Sequence, residues 1–317
     1  MLLNILFLII GFIILIKGAD VFVDGASSVA GNFKVSKILI GLTIVAFGTS
    51  APEFAVGVKS LVSGNGDIVL GNVIGSNILN ILLILGVSAM FHSLNVKSDT
   101  VKKELPITLL ISTLFAVLLS DKLFDDVKIN AFTRSDGIVV LLFFFIFIYY
   151  LISVARNKID EDNDDKYMPL AKSASFTIIG FIAIVFGSNL VVDNASSLAA
   201  IVGISERMIS LTIIALGTSL PELVTSVTAT RKGEYDIAIG NVVGSNIFNI
   251  GMVIGIPITI IGGISKITFN YVDLLVMVIS ALLLFIFSFK DHKISKQEGI
   301  IFLILFVVYY GYVLYIG

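Results

Sequence analysis

The chain has 317 residues, 57% of them hydrophobic and 14% charged, with a mean hydropathy of +1.04 and a formal net charge of −2. Soluble domains carry about 25% charged residues, so this balance excludes a soluble globular enzyme; the apolar excess excludes disorder, and the small net charge gives no electrostatic reason to expect nucleic acid. With no cysteine, disulfides, zinc–thiolate sites, iron–sulfur clusters and cysteine nucleophiles are excluded as well.

A membrane-spanning helix needs about 20 mostly apolar residues, and ten stretches of the chain qualify. The first, 2–25, begins at Leu2 with no basic segment before it, which argues against a cleaved secretory signal. Four more, 37–61, 68–91, 104–121 and 136–155, complete a first unit over 1–155. A polar linker over 156–172 carries the acidic run Asp160 to Asp165, which lacks the glycine and terminal glutamate of an EF-hand loop and reads as solvated. The second unit, 173–317, holds 173–197, 206–230, 236–261, 271–289 and 297–315. The fold expected is an all-α integral membrane protein of ten transmembrane helices.

Basic residues concentrate on the cytoplasmic side of membrane proteins. With an external N-terminus, fourteen fall in cytoplasmic loops: Lys34, Lys37, Lys97, Lys102, Lys103, Arg156, Lys158, Lys166, Lys172, Arg231, Lys232, Lys290, Lys293 and Lys296. Six fall outside: Lys59, Lys122, Lys128, Arg134, Arg207 and Lys266. The expected placement is therefore multi-pass in the cell membrane with N- and C-termini both outside, the lipid bilayer as surroundings, and no soluble partner or nucleic acid.

Shifted by 169 residues, the chain matches itself without a gap. Gly11 falls on Gly180, Gly18 on Gly187 and Asp24 on Asp193, and from Thr43 to Gly86 22 of 44 positions are identical. Five spans per repeat is an odd number, so the second copy enters the membrane upside down. Two inverted five-helix repeats are the plan of secondary transporters, whose substrates bind near the midplane between the halves.

The densest part of the match is GTSAPE at Gly48–Glu53 against GTSLPE at Gly217–Glu222. Pro52 and Pro221 lack a backbone N–H and clash with the preceding turn, which should free carbonyls around Ala46–Thr49 and Ala215–Thr218. Glu53 and Glu222 lie at membrane depth, where a charge costs roughly 2.5–3.5 kcal/mol on insertion scales, and no Lys or Arg accompanies either in its motif. A bound cation is the natural counter-charge. Thr49, Ser50, Thr218 and Ser219 add hydroxyls. In the next span, GNVIGSNILN puts Ser76 and Asn80 on one helical face, GNVVGSNIFN does the same with Ser245 and Asn249, and Asn77 and Asn246 point partly away. The result is an all-oxygen shell of the kind that suits Ca²⁺, which takes six to eight oxygens at about 2.3–2.6 Å, or Na⁺. The Gly71/Gly75 and Gly240/Gly244 pairs read as close-packing residues. Asp24 and Asp193 read as capping or interface residues at the cytoplasmic ends of their spans, and His92 and His292 as solvated loop residues.

The paired GTSxPE and GNxxGSNxxN segments resemble the two alpha-repeats of the cation/calcium exchanger superfamily, and within it the sodium/calcium exchanger branch with its prokaryotic members. The resemblance covers both repeats and the ten-span plan. It implies alternating access, with Ca²⁺ and Na⁺ competing for one central cluster and the first and sixth spans as moving elements. It implies a calcium site of Thr49, Glu53, Thr218 and Glu222. Sodium sites would add Ser50, Ser76, Ser219, Ser245 and the carbonyls of Ala46 and Ala215, with Asn80 and Asn249 lining the centre. The GNAxE-type context of the proton-coupled branch is absent, which favours sodium over protons. Some relatives, including potassium-dependent ones, carry Asp at one of the two central Asn positions; here both are Asn. Large cytoplasmic calcium-regulatory domains are missing.

The function expected is a secondary antiporter using inward Na⁺ flow to expel Ca²⁺, with these ions as substrates and no cofactor. Ca²⁺/H⁺ exchange and a passive cation channel stay open as alternatives. An enzyme is not expected, since no zinc-ligand pair, GxSxG elbow or nucleotide loop is present.

Overall fold

A computed structural model describes residues 1–124, 127–156, 167–203, 215–267 and 270–316. Helix α1 spans Leu2–Phe33. Helix α2, Lys37–Thr49, breaks at Ser50 and continues as α3, Ala51–Val62, bent by 45°. Then come α4, Gly66–Phe91, α5, Glu104–Leu118, and α6, Arg134–Arg156. The second unit has α7, Leu170–Ile201, a helical turn at Ala215–Thr218, α8, Leu220–Arg231, α9, Tyr235–Ile261, α10, Tyr271–Asp291, and α11, Lys296–Ile316.

Among the described residues, seven helices (α1, α4, α6, α7, α9, α10 and α11) are long and apolar enough to cross a membrane, and the bent α2–α3 pair makes an eighth. The other two predicted spans, 104–121 and 206–230, are not among these eight. α5 has 15 residues, about 22 Å at 1.5 Å per residue, which is short of a bilayer core. The start of 206–230 lies outside the described residues, as do the acidic run Asp160 to Asp165 and Arg207.

α1 and α7 run 32 residues each, beyond the predicted 2–25 and 173–197. The extension of α1 is small and polar, and it packs on protein instead of lipid: Asn32 Nδ2 donates to the Ser28 and Met168 carbonyls, each at 2.8 Å. The two helices cross antiparallel at glycines. A Cβ on Gly18 would stand 2.9 Å from Ile184 N, and one on Gly187 would stand 2.7 Å from Leu15 N. These are one contact seen twice, since 184 and 15, like 187 and 18, differ by 169. Because α7 is antiparallel to α1, Asp24 and Asp193 lie at opposite ends, correcting the expectation that both share a cytoplasmic end.

The all-α expectation also misses two short antiparallel ribbons. Leu94–Asn95 (β1) pairs with Lys293–Ile294 (β4) at one end, and Asn130–Phe132 (β2) pairs with Ile264–Ile267 (β3) at the other. Two to four residues are too few for an alternating pattern to register. Ion pairs reinforce the β1–β4 end. Lys37 lies 2.9 Å from Glu234, which also accepts the Ser27 hydroxyl at 2.8 Å. Lys97 lies 2.7 Å from Asp236, and Lys232 lies 2.7 Å from Asp24. His92 and His292 are exposed, as read.

α9 forms the centre: its apolar window is 100% buried, against 72% for α4 and 11% for α11. Helices apolar all round belong inside. α9 meets α2 backbone to backbone, where a Cβ on Gly240 would lie 2.8 Å from the Ile38 carbonyl. The packing reading therefore holds for Gly240 and Gly244. At Gly71 and Gly75 no neighbouring-helix atom among the described residues lies within 4 Å of the Cβ position; the positions answering to Ile38 and Leu42 under the 169-residue offset, 207 and 211, fall outside the described residues, and the packing expectation for this pair falls there with them.

Candidate functional site

The site forms where two broken helices face two π-distorted ones. Ser50 and Ser219 interrupt their helices with nearly identical dihedrals, φ −82°, ψ 5° and φ −90°, ψ 5°. In each the next helix opens with Pro in its first turn, the one place where a missing N–H is tolerated. The glutamate follows directly. α4 and α9 carry π-helical stretches at Asn80–Leu85 and Asn249–Ile254, the same 169-residue offset. A π turn shifts the register of the helix, and such bulges are frequent at functional sites.

The predicted residues come together across the halves. The Ser50 hydroxyl donates to Glu222 Oε1 at 3.2 Å, and the Ser219 hydroxyl lies 3.5 Å from Glu53 Oε1 and 3.3 Å from Ser76 Oγ. Glu53 and Glu222 are each 1% exposed, and among the described residues no Lys or Arg pairs with either. Thr49, Ser76, Asn80, Ser245, Asn249 and Ala46 are buried too. Ala215 opens the helical turn before Thr218.

Two expectations change. The Ala46 carbonyl is not left bare by the break: it accepts the Ser50 N–H at 3.0 Å and lies 3.4 Å from the Thr49 hydroxyl. The carbonyl four residues before Pro221, that of Gly217, is met by the Ser188 hydroxyl at 3.1 Å. Asn77 and Asn246 do not point away. They face each other at the centre of the molecule, each Nδ2 donating to the other's main-chain carbonyl at 3.3 and 3.4 Å.

Four asparagine roles, three of them at buried residues, are added to those read from the motifs. Besides Asn77 and Asn246, Asn241 accepts the Thr49 hydroxyl at 2.9 Å and donates to Ser226 Oγ at 2.9 Å and the Glu222 carbonyl at 3.3 Å. Asn72 stands 3.5 Å from the Thr218 hydroxyl in the mirrored position. All four sit inside the repeated GNxxGSNxxN segments, so their signal was the repeat identity itself.

Five oxygens of this neighbourhood are buried and make no hydrogen bond among the described residues: Glu53 Oε2, Glu222 Oε2, Asn80 Oδ1, Asn249 Oδ1 and Ser245 Oγ. Buried acceptors are nearly always satisfied, and a carboxylate oxygen left bare in a low-dielectric interior is especially costly.

A family profile described as sodium/calcium exchanger protein matches residues 3–153 and 172–315. The chain belongs to that family. The sodium/calcium exchanger MaX1 of Methanosarcina acetivorans is 31% identical over 350 residues, covering 99% of each chain. The inner membrane protein YrbG of Escherichia coli strain K12 is 37% identical over 297 residues, covering 89% of each. The solved structure of the sodium-calcium exchanger NCX_Mj, soaked with 10 mM Na⁺ and zero Ca²⁺, superposes with a TM-score of 0.84 at 34% identity over 97% of both chains. This exchanger is thus a multi-pass membrane protein of a cation-exchange family, a transporter class and not an enzyme class.

Proposed function

We propose that this exchanger couples Na⁺ entry to Ca²⁺ extrusion by alternating access at the Glu53–Glu222 centre. The observation that carries the reading is that two buried carboxylates, with no basic partner among the described residues, each keep an unpartnered oxygen, as do the buried side chains of Asn80, Asn249 and Ser245. Two negative charges balance one Ca²⁺ or can be shared by several Na⁺, and the neutral oxygens complete a shell of the hard-cation type. In this reading Glu53, Glu222, Thr49 and Thr218 hold Ca²⁺. Ser50, Ser76, Ser219, Ser245 and the Ala46 and Ala215 carbonyls serve Na⁺, and Asn80 and Asn249 line the centre.

The ten-span plan of two inverted five-helix repeats is part of the proposal, with units 1–155 and 173–317. It is supported by contacts that recur under the 169-residue offset: Ser50–Glu222 with Ser219–Glu53, and Asn77–Asn246 with itself reversed. The basic bias of the loops supports a cytoplasmic β1–β4 end, with both termini outside the cell membrane.

A shared site predicts competition. Ca²⁺ titrated into the purified protein should bind with an apparent affinity that weakens as Na⁺ is raised and is unmoved by equal choline. Ca²⁺ binding indifferent to Na⁺ would contradict a common site.

A further inference from the structure

Asn77 and Asn246 touch no cation in the reading above, yet their bonds fix two groups that do. Asn80 Nδ2 donates to Asn246 Oδ1 at 2.9 Å, and Asn249 Nδ2 donates to Asn77 Oδ1 at 3.0 Å. All four side chains are buried. A side-chain amide has two ends of nearly equal size, one an acceptor and the other a donor, and only the oxygen can ligate a cation. Which end faces the cavity must therefore be enforced.

Main-chain carbonyls enforce it, because they cannot turn over. The Asn77 carbonyl can only accept, so the amide end that Asn246 turns toward it is Nδ2. That leaves Asn246 Oδ1 facing Asn80, which must answer with its own Nδ2. Asn80 Oδ1 then points away from the bond and is one of the bare buried oxygens. The mirrored chain runs from the Asn246 carbonyl through Asn77 to Asn249, and it leaves Asn249 Oδ1 bare. Turning any one amide over would set two acceptors against each other.

We propose that Asn77 and Asn246 are positioning residues that lock the Asn249 and Asn80 amides, respectively, with oxygen toward the transported cations. The wiring is crossed: each repeat orients the ligand of the other. The inference rests on the cation-site reading above. Groups that orient a ligand typically contribute 10–100-fold in metal affinity.

The test is a pair of double-mutant cycles on Ca²⁺ affinity, read by calorimetric titration of the full-length protein in detergent. Asn246→Ala should weaken Ca²⁺ binding roughly 10-fold or more. In an Asn80→Ala background the same change should add almost nothing, while in an Asn249→Ala background it should act in full; Asn77→Ala should show the reverse pattern. Where Asn246→Ala is not monodisperse, Asn246→Ser, too short to reach Asn80, goes through the same cycle. Losses that add equally in both backgrounds, or no loss at all, overturn the proposal, since a purely packing role would not distinguish Asn80 from Asn249. A wild-type protein that binds no Ca²⁺ overturns the cation-site reading itself; binding with uncoupled variants overturns only the crossed wiring.

Discussion

The Ser50 hydroxyl donates to the Glu222 carboxylate at 3.2 Å, although 172 residues separate them. Its counterpart under the repeat, Ser219 to Glu53, is 3.5 Å long. Each glutamate is thus held by a hydroxyl from the opposite broken helix, and each keeps a second oxygen bare. Ser50→Ala and Ser219→Ala should leave both charges in place and remove one oxygen from the shell. The expected result is a rise of several-fold in the Na⁺ concentration needed for half-maximal exchange, with a smaller change for Ca²⁺. Stopped-time ⁴⁵Ca²⁺ exchange at graded Na⁺ measures it; equal shifts for both ions would speak against separate sodium oxygens.

Glu53→Gln and Glu222→Gln keep shape and hydrogen bonding while deleting the charge. Each should abolish Ca²⁺ transport with expression and monodispersity intact, because one carboxylate cannot balance a divalent ion at membrane depth. Near-normal Ca²⁺ uptake in either variant would remove that residue from the site.

Asn249→Asp adds a charge to the centre and deletes the Nδ2 that donates to Asn77 at 3.0 Å. Cation preference or the Na⁺:Ca²⁺ coupling ratio should change, as read from reversal potentials of exchange in vesicles. An unchanged ratio together with unchanged selectivity would place Asn249 outside the lining.

The α1–α7 crossing makes a prediction about folding. A Cβ at Gly187 would lie 2.7 Å from Leu15 N and 2.9 Å from Leu15 Cα, both backbone atoms that cannot swing aside. Gly187→Val should cost at least about 1–3 kcal/mol from overpacking and lower the melting temperature sharply in fluorescence-detected size exclusion.

At the β1–β4 end, Glu234→Gln removes the charge shared by Lys37 and the Ser27 hydroxyl. Part-exposed pairs contribute about 1 kcal/mol or less each. The expected outcome is a melting temperature lower by a few degrees, with the effect shrinking as salt is raised.

Much of this was legible in the sequence because a duplication writes its symmetry twice. GTSAPE against GTSLPE marked both helix breaks, and the structure places them at Ser50 and Ser219. The Ser76/Asn80 spacing put both residues on one buried face, as it did for Ser245 and Asn249. What escaped depends on the partner across the interface. Helical spacing said that Asn77 and Asn246 point away from Asn80 and Asn249; it could not say that they meet each other. The length of α1 escaped because Ala26 to Phe33 is too polar to read as a lipid-facing span, and its helix is held by protein contacts at Met168. The ribbons escaped because a two-residue strand such as Leu94–Asn95 is defined only by its partner, Lys293–Ile294.

Sodium–calcium coupling is tested by Ca²⁺ uptake into proteoliposomes preloaded with Na⁺, alongside K⁺-loaded vesicles and vesicles with only a pH gradient. Uptake is expected when, and only when, Na⁺ can flow outward. Uptake driven by the pH gradient alone, or equal uptake with no gradient of either ion, would contradict it, the first pointing to proton coupling and the second to a passive pathway.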